Sequence, residues 1–430
     1  MQRILIKDAK KYPEEIIMIQ GRIKRIRCHG SLSFIDLADR SECIQVVYEG
    51  DLMNSCKEEA VISLKGKVII EKRAYRGVEM HVEKDGIEIL SQAVADLPFE
   101  IKRASEDVSP DIVYDHRALS LRNQKLSAVF KIQSEILSAF REFLIKNEFI
   151  EISSPKLVHS GTEGGTDLFE VEYFEQKAYL AQSPQFYKQM MVSSYFERVF
   201  ETAKAYRAEK HDTSRHINEY MSLDFEMSYI EDHHDLMELE NRLLQYIIEE
   251  LEVNCKKGFE ILGMEIPELT IKIPEITFKD AKKVLEEEYQ KVLVKNIDPE
   301  GERLLSKWAK EKYDSDFLFI TDFPKSKRPF YTMCYQEDSE TTKSFDLLFR
   351  GLEVTTGGQR IHLYDQLIEA MEEKQLVPAE YESYLDIFKY AMPPHGGLAI
   401  GLERLTKQLC GLDNIREATL FPRDRNRLVP

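Results

Sequence analysis

The sequence predicts an α+β protein made of a small amino-terminal β-barrel and a larger domain built around a mostly antiparallel sheet. Five short β-rich runs, punctuated by turn residues, fill the first ninety positions, and from about residue 125 amphipathic helices interleave with further strand runs. The length sets the scale, because 430 residues with 43% hydrophobic content give room for two or three domains, each with its own core.

The barrel comes first. The runs starting at Ile16, Leu32, Cys43, Val61 and Val78 are strand-like and are separated by Gly, Asp and Lys turns. Their spacing suits a five-stranded Greek-key barrel of the oligonucleotide-binding (OB) type, which reads single strands by stacking bases on aromatics beside a basic groove. Arg22, Lys24, Arg25, Arg27, Phe34 and Gln45 supply both kinds of side chain, although an ordinary barrel with a solvated basic strand would show the same pattern. The barrel is assigned to residues 1–95. Residues 96–124, which mix Pro, Ser and charge without periodicity, are assigned to a linker.

The second domain is assigned to residues 125–430. A helix is predicted from about Lys125 to Lys146, with Val129, Ile132, Ile136, Phe140, Phe143 and Leu144 at helical spacing. Strands are predicted near 149–152, 178–181, 199–203, 222–229, 344–348, 352–356 and 397–401, and a helix over 233–252. The Glu- and Lys-rich stretch at about 255–320 reads as a helical insertion packed on the sheet.

With 59 Lys and Arg against 76 Asp and Glu, the net charge of −17 argues against a protein that coats nucleic acid indiscriminately. The first hundred residues are nearly balanced, so the acidity lies in the remainder. No apolar run is long enough to span a membrane, and Asp8 interrupts the start where a signal sequence would continue; a cytoplasmic protein is expected. The six cysteines are spaced singly, which favours reduced thiols over disulfides or a zinc site.

There is no Walker-type phosphate loop, no dinucleotide-binding glycine triplet and no Gly-x-Ser-x-Gly elbow, so any phosphate chemistry falls to charged side chains. Arg207, Glu209, His211, Arg215, His216 and Tyr220 cluster on a predicted strand and the loop after it. Guanidinium forks hold phosphate bidentately and stabilise charge that develops during transfer. The same stretch also reads as a solvated hairpin in which Arg207 pairs with Glu209. A second cluster, Glu353, Thr356, Arg360 and Arg404, adds oxygen donors suited to Mg²⁺ beside phosphates, and more fixed cations. His233 and His234 lie on the predicted helix and are read as solvated.

Three segments carry a resemblance. Asn147-Glu-Phe-Ile-Glu-Ile-Ser-Ser-Pro155, Tyr206-Arg207-Ala-Glu209 and Gly397-Leu-Ala-Ile-Gly401-Leu-Glu-Arg404 resemble, in order, the three motifs of class II aminoacyl-tRNA synthetases. The segments Gly161-Thr-Glu-Gly-Gly-Thr-Asp, Gln182-Ser-Pro-Gln-Phe-Tyr-Lys188, Arg328-Pro-Phe-Tyr and the ending Leu420-Phe-Pro-Arg-Asp-Arg narrow this. Along nearly its whole length the chain resembles the aspartyl-tRNA synthetases in their shorter, archaeal-like form.

The resemblance implies an OB-fold anticodon-binding barrel and a class II synthetase antiparallel-sheet catalytic domain, dimerising through motif 1 with Pro155 at the interface. It implies aspartate activation by ATP with Mg²⁺, then transfer to tRNA(Asp) and, in some members, tRNA(Asn). Arg207, Glu209 and Arg404 would be catalytic, and Glu163, Gln185, Lys188, Arg207, Thr356 and Arg360 would hold aspartate. Arg207, Glu209, Arg215, His216, Ile217, Tyr220, Glu353, Gly401, Leu402, Glu403 and Arg404 would hold ATP, with Glu353 and Thr356 on the metal. Arg22, Lys24, Phe34 and Gln45 would meet the anticodon. A buried lysine favours aspartate, since asparagine's amide would leave it unpaired. Lys188→Glu is therefore expected to abolish aspartate activation while sparing the fold. The alternatives are an asparagine–tRNA ligase, a repurposed class II paralogue, and a single-strand-binding protein acting through the barrel alone.

Overall fold

Strand alternation closes the amino-terminal part of the chain into a barrel. The computed structural model describes residues 1–429 apart from 51, 53–55, 75–76, 163–167, 211–212, 270–271 and 293–295. The chain divides into two units, Met1–Glu100 and Ile101–Pro430. The first contains β1 (Ile16–His29), β2 (Leu32–Ala38), β3 (Cys43–Glu49), β4 (Val61–Ile70), β5 (Val78–Val82) and β6 (Ile87–Ser91). Because β1 pairs with both β2 and β4, the order β1-β2-β3-β5-β4 returns on itself and leaves no edge in the ring. Ile19, Ile23, Ile35, Leu37, Val46, Ile62, Leu64 and Met80 point inward and are fully buried. A Cβ on Gly21 would come within 2.5 Å of the Ala38 carbonyl oxygen, so β1 passes this close to β2 only because the residue is glycine. The sixth strand, β6, was not predicted; four of its five residues are exposed, so it has no buried face to alternate.

The second unit is a sheet with helices on both faces, the two longest on one of them. Its strands are β7 (Ile150–Glu151), β11 (Arg198–Tyr206), β12 (Glu219–Ser228), β13 (Glu275–Thr277), β14 (Phe317–Thr321), β15 (Ser344–Phe349), β16 (Leu352–Arg360) and β17 (His395–Gly401), ordered β13-β14-β15-β16-β17-β12-β11-β7. Pairing is antiparallel from β14 to β11 and parallel only at the two ends. A smaller sheet comprises β8 (Leu157–Val158), β9 (Glu170–Tyr173) and β10 (Gln176–Leu180).

Two long helices, α3 (Gln124–Lys146) and α5 (His233–Asn254), form the main core with this sheet. The α3 stripe of Ile132, Ile136 and Phe140 and the α5 stripe of Leu236, Leu243 and Ile247 meet Phe200, Leu223, Phe225, Leu398 and Ile400. Asn123 caps α3 by accepting from the Lys125 and Leu126 amides, and Asp232 caps α5 in a capping box with Asp235. His233 is therefore fully buried at the start of α5, not solvated as the sequence reading had it. Burial lowers its imidazole to a pKa of about 4.

Two boundaries differ from the sequence reading. Residues 101–124, read as a linker, belong to the second unit and contain the short helices α1 (Pro110–Asp115) and α2 (Arg117–Ser120). Arg117 is buried there and donates to the carbonyls of Glu417, Thr419 and Leu420. Helices of one or two turns are too short to show a period, which is why the segment looked featureless. The 255–320 insertion does pack on the sheet, through α7 (Phe278–Tyr289) and α8 (Pro299–Tyr313), but it also contributes β13 and β14 to that sheet. No described helix is long and apolar enough to cross a membrane.

Candidate active site

A cleft of about 670 Å³ opens on the sheet face opposite α3 and α5. Strand parity builds its floor: Leu223 and Phe225 of β12 and Leu398 and Ile400 of β17 enter the helix-side core, while Ser222, Asp224, Ala399 and Gly401 line the cleft. Strand β16 breaks that parity. Leu347 pairs with Thr355 and Leu348 with Glu353, so Val354 is an extra residue in the ladder. In a regular strand Glu353 and Thr356 would face opposite ways; the bulge turns both into the cleft, where Thr356 Oγ1 donates to Glu353 Oε1 at 3.0 Å.

Four charges meet at one end. Lys188, on α4 (Gln185–Val192), is 1% exposed and donates to Asp224 Oδ1 at 2.9 Å and the Leu398 carbonyl at 3.1 Å, with Glu226 Oε2 at 3.3 Å. Arg360 Nε donates to Glu226 Oε1 at 2.9 Å, and its Nη2 to the Gly397 carbonyl. Burial would push the Glu226 carboxyl up, but Arg360 and Lys188 outweigh it and hold it below its ordinary range. Gln185 Nε2 and Asp224 Oδ2, from residues lining the cleft, are buried without hydrogen-bond partners. A small polar ligand would satisfy them.

The other end is rich in arginine and oxygen donors. Arg404, on α11 (Leu402–Leu409), donates to the Glu353 carbonyl at 3.0 Å and to Glu353 Oε1 at 3.3 Å. Arg328 Nη2 donates to Asp346 Oδ1 at 2.8 Å. Burial works against ionisation of Glu353, yet Arg404 and Arg328 keep it below the usual carboxylate range. Burial raises Asp346 against the pull of Arg328, and the charge on Glu353 adds to the rise. Two carboxyls and a hydroxyl within one strand pair are hard donors of the kind that fit Mg²⁺. Arg207 lines the cleft with its guanidinium 5.7 Å from the Tyr220 ring centre.

Residues 109–425 match the family of tRNA synthetases class II (D, K and N), and residues 17–90 match the OB-fold nucleic acid binding domain. The chain belongs to the class II tRNA synthetases. It is 45% identical to the aspartate–tRNA(Asp/Asn) ligase of Thermus thermophilus, with 100% of each chain covered. To the enzyme of the same name from Deinococcus radiodurans it is also 45% identical, over 100% of this chain and 99% of that one. The crystal structure of asparaginyl-tRNA synthetase from Pyrococcus horikoshii complexed with asparaginyl-adenylate superposes with a TM-score of 0.92 at 30% identity, covering 100% of both chains.

In this synthetase the cleft gathers Gln185, Lys188, Arg207, Glu209, Arg215, His216, Ile217, Tyr220, Glu353, Thr356, Arg360, Gly401, Glu403 and Arg404. Leu402 stands apart, since its side chain is in the core behind the sheet. Glu403 turns its carboxylate onto the Met221 amide, 3.0 Å from each oxygen, and burial raises it to a pKa of about 7. Glu163 and His211 lie outside the described residues.

On the barrel, Arg27 pairs across the strands with Phe34 and its guanidinium reaches Asp36 and Gln45. Lys24 sits in a register break of β1. Arg22 is turned to the Glu59 carbonyl instead. Sequence reasoning missed Asp224, Glu226, Asp346 and the role of Arg328. The period-2 run Ser222-Leu-Asp-Phe-Glu already placed both acids on one face.

Proposed function

We propose that the chain is an aspartate–tRNA ligase, which activates L-aspartate with ATP and loads it onto tRNA(Asp), with tRNA(Asn) as a second acceptor. The observation that carries the choice of aspartate is the pair of buried cations, Lys188 and Arg360, on the cleft wall. A carboxylate side chain gains from both, whereas an amide exchanges an ionic partner for a neutral one. The names carried by the Thermus and Deinococcus relatives support the wider tRNA range.

In the first step an α-carboxylate oxygen of aspartate attacks the α-phosphorus of ATP, and the bond to the bridging oxygen breaks to release pyrophosphate. In the second, a ribose hydroxyl of the terminal adenosine of tRNA attacks the carbonyl carbon, and AMP leaves. No protein nucleophile takes part, so the residues act by positioning and charge. Arg207 steadies the α-phosphate and the attacking carboxylate. Asp224 Oδ2 accepts from the substrate ammonium, Tyr220 stacks near the adenine with Glu209 on its amino side, and Arg215, His216 and Arg404 meet the outer phosphates. Mg²⁺, held by Glu353 and Thr356 with Asp346 beside them, would screen the triphosphate charge when bound.

The barrel (1–95) reads the anticodon through Lys24, Phe34, Gln45 and Arg27. The enzyme works as a cytoplasmic homodimer through the motif 1 edge, where β7 ends the sheet and Ile145, Ile150 and Leu157 are exposed. The testing experiment offers labelled aspartate or asparagine, with ATP and Mg²⁺, to each of tRNA(Asp) and tRNA(Asn). Aspartate on both tRNAs is expected. Asparagine charging, or none, would overturn the reading of the site, and aspartate on tRNA(Asp) alone would narrow the acceptor.

A further inference from the structure

Glu302 joins three segments at the phosphate end of the cleft, yet belongs to no motif and does not line the cleft. It lies in the first turn of α8 and is 8% exposed. Its Oε2 forms an ion pair with Arg215 and accepts the backbone N–H of Glu353 at 3.0 Å. Arg215 belongs to the loop before β12, and Glu353 starts the bulged stretch of β16 and is held from the other side by Arg404. Glu302 thus ties the insertion helix to both the motif 2 loop and the strand that carries the oxygen donors.

We propose that Glu302 is a positioning residue for the outer phosphates of ATP, holding Arg215 at the cleft wall and fixing the Glu353–Thr356 bulge without touching the nucleotide. This rests on the ATP-dependent activation proposed above and deepens it. A long arginine side chain loses rotamer freedom when it is ordered. A guanidinium ordered beforehand by a buried acid meets the triphosphate without that loss. Docking of α8 is a separate matter, since Leu305, Trp308 and Ala309 already secure the helix against Leu318, Ile320 and Leu348. Burial raises the Glu302 carboxyl while Arg215 opposes the rise, so the pair depends on the arginine staying in place.

The test is ATP–pyrophosphate exchange with Glu302→Gln, which keeps an oxygen for the Glu353 amide and loses the ion pair. KM for ATP should rise about tenfold or more, while KM for aspartate and the Ki of AMP, which lacks outer phosphates, stay within about twofold. Adding Glu302→Gln to Arg215→Ala should raise KM for ATP no further. Glu302→Asp, with the charge one methylene short, should give an intermediate rise. Additive effects of the two substitutions would overturn the proposal. So would parallel shifts in aspartate, AMP and ATP, an unchanged KM for ATP, or an Asp variant as impaired as the Gln one. Absence of exchange in the unmutated enzyme would instead overturn the assigned function.

Discussion

Lys188 shows how far a single residue type can be read. A lysine in the segment after β10 pointed to a carboxylate substrate, and the structure puts it on the cleft wall. It also serves the fold, because Asp224 and Glu226 are both buried against it. Lys188→Glu, expected from the sequence to spare the fold, would instead set a third carboxylate among buried acids, and the protein should misfold rather than only lose its substrate. The informative variant is Lys188→Met, which keeps the volume of the stem. Aspartate-dependent exchange should disappear, and stability should fall by about 3 kcal/mol, since Glu226 keeps Arg360 but Asp224 loses its cation. Denaturant titration gives the second number. Normal exchange in a folded Lys188→Met protein would remove the lysine from substrate binding.

At the scale of elements, the contact between α5 and β16 makes folding stability depend on pH. Glu240 of α5 is fully buried and accepts from Thr355 Oγ1 at 2.5 Å, on the strand face opposite Glu353 and Thr356. Burial raises its carboxyl to a pKa of about 8, opposed only by the Thr355 hydroxyl, so at neutral pH it is a protonated acid. The unfolded chain releases this proton near the ordinary carboxylate value of 4.5, and the folded chain holds it up to about 8. Stability from this group is complete below the lower value and is lost as pH rises through that window, by about 1.4 kcal/mol per pH unit. Glu240→Gln should flatten that slope, which unfolding midpoints at pH 5, 6, 7 and 8 would reveal; parallel slopes in the two proteins would mean that Glu240 is ionised. Neither Glu240 nor the bulge at Val354 was legible in the sequence, since an α5 glutamate reads as solvated and a strand period cannot report its own interruption. Barrel strand β2, α3 and the floor of β12 were legible, because each keeps one periodicity over its length. The cations of the cleft were legible from their motifs, but their pairing with Asp224, Glu226, Asp346 and Glu302 was not, because ion pairing between distant segments leaves no local signature, even where period 2 puts Asp224 and Glu226 on one face.

For the whole molecule, the distribution of charge decides how RNA is held. A net charge of −17 repels a polyanion overall, and the nearly neutral barrel contributes least to that repulsion. On its strand face Lys24, Arg25 and Arg27 are the cations near Phe34 and Gln45, and Arg27 is partly committed to Asp36 at 3.2 Å. Three phosphate contacts to a single-stranded loop imply a slope of about −2 in log affinity against log salt. Raising salt fourfold should therefore weaken binding of an anticodon stem-loop to the full-length protein by about 15-fold, far less than a general nucleic-acid binder would lose. Arg27→Ala should make the slope shallower. Phe34→Ala should lower affinity by about 1–3 kcal/mol at every salt concentration with the slope intact, because stacking displaces no counterions. Fluorescence anisotropy at four salt concentrations separates the two effects. A slope of −6 or steeper would show that the barrel holds RNA mainly by charge, and a Phe34→Ala variant of unchanged affinity would remove Phe34 from the contact.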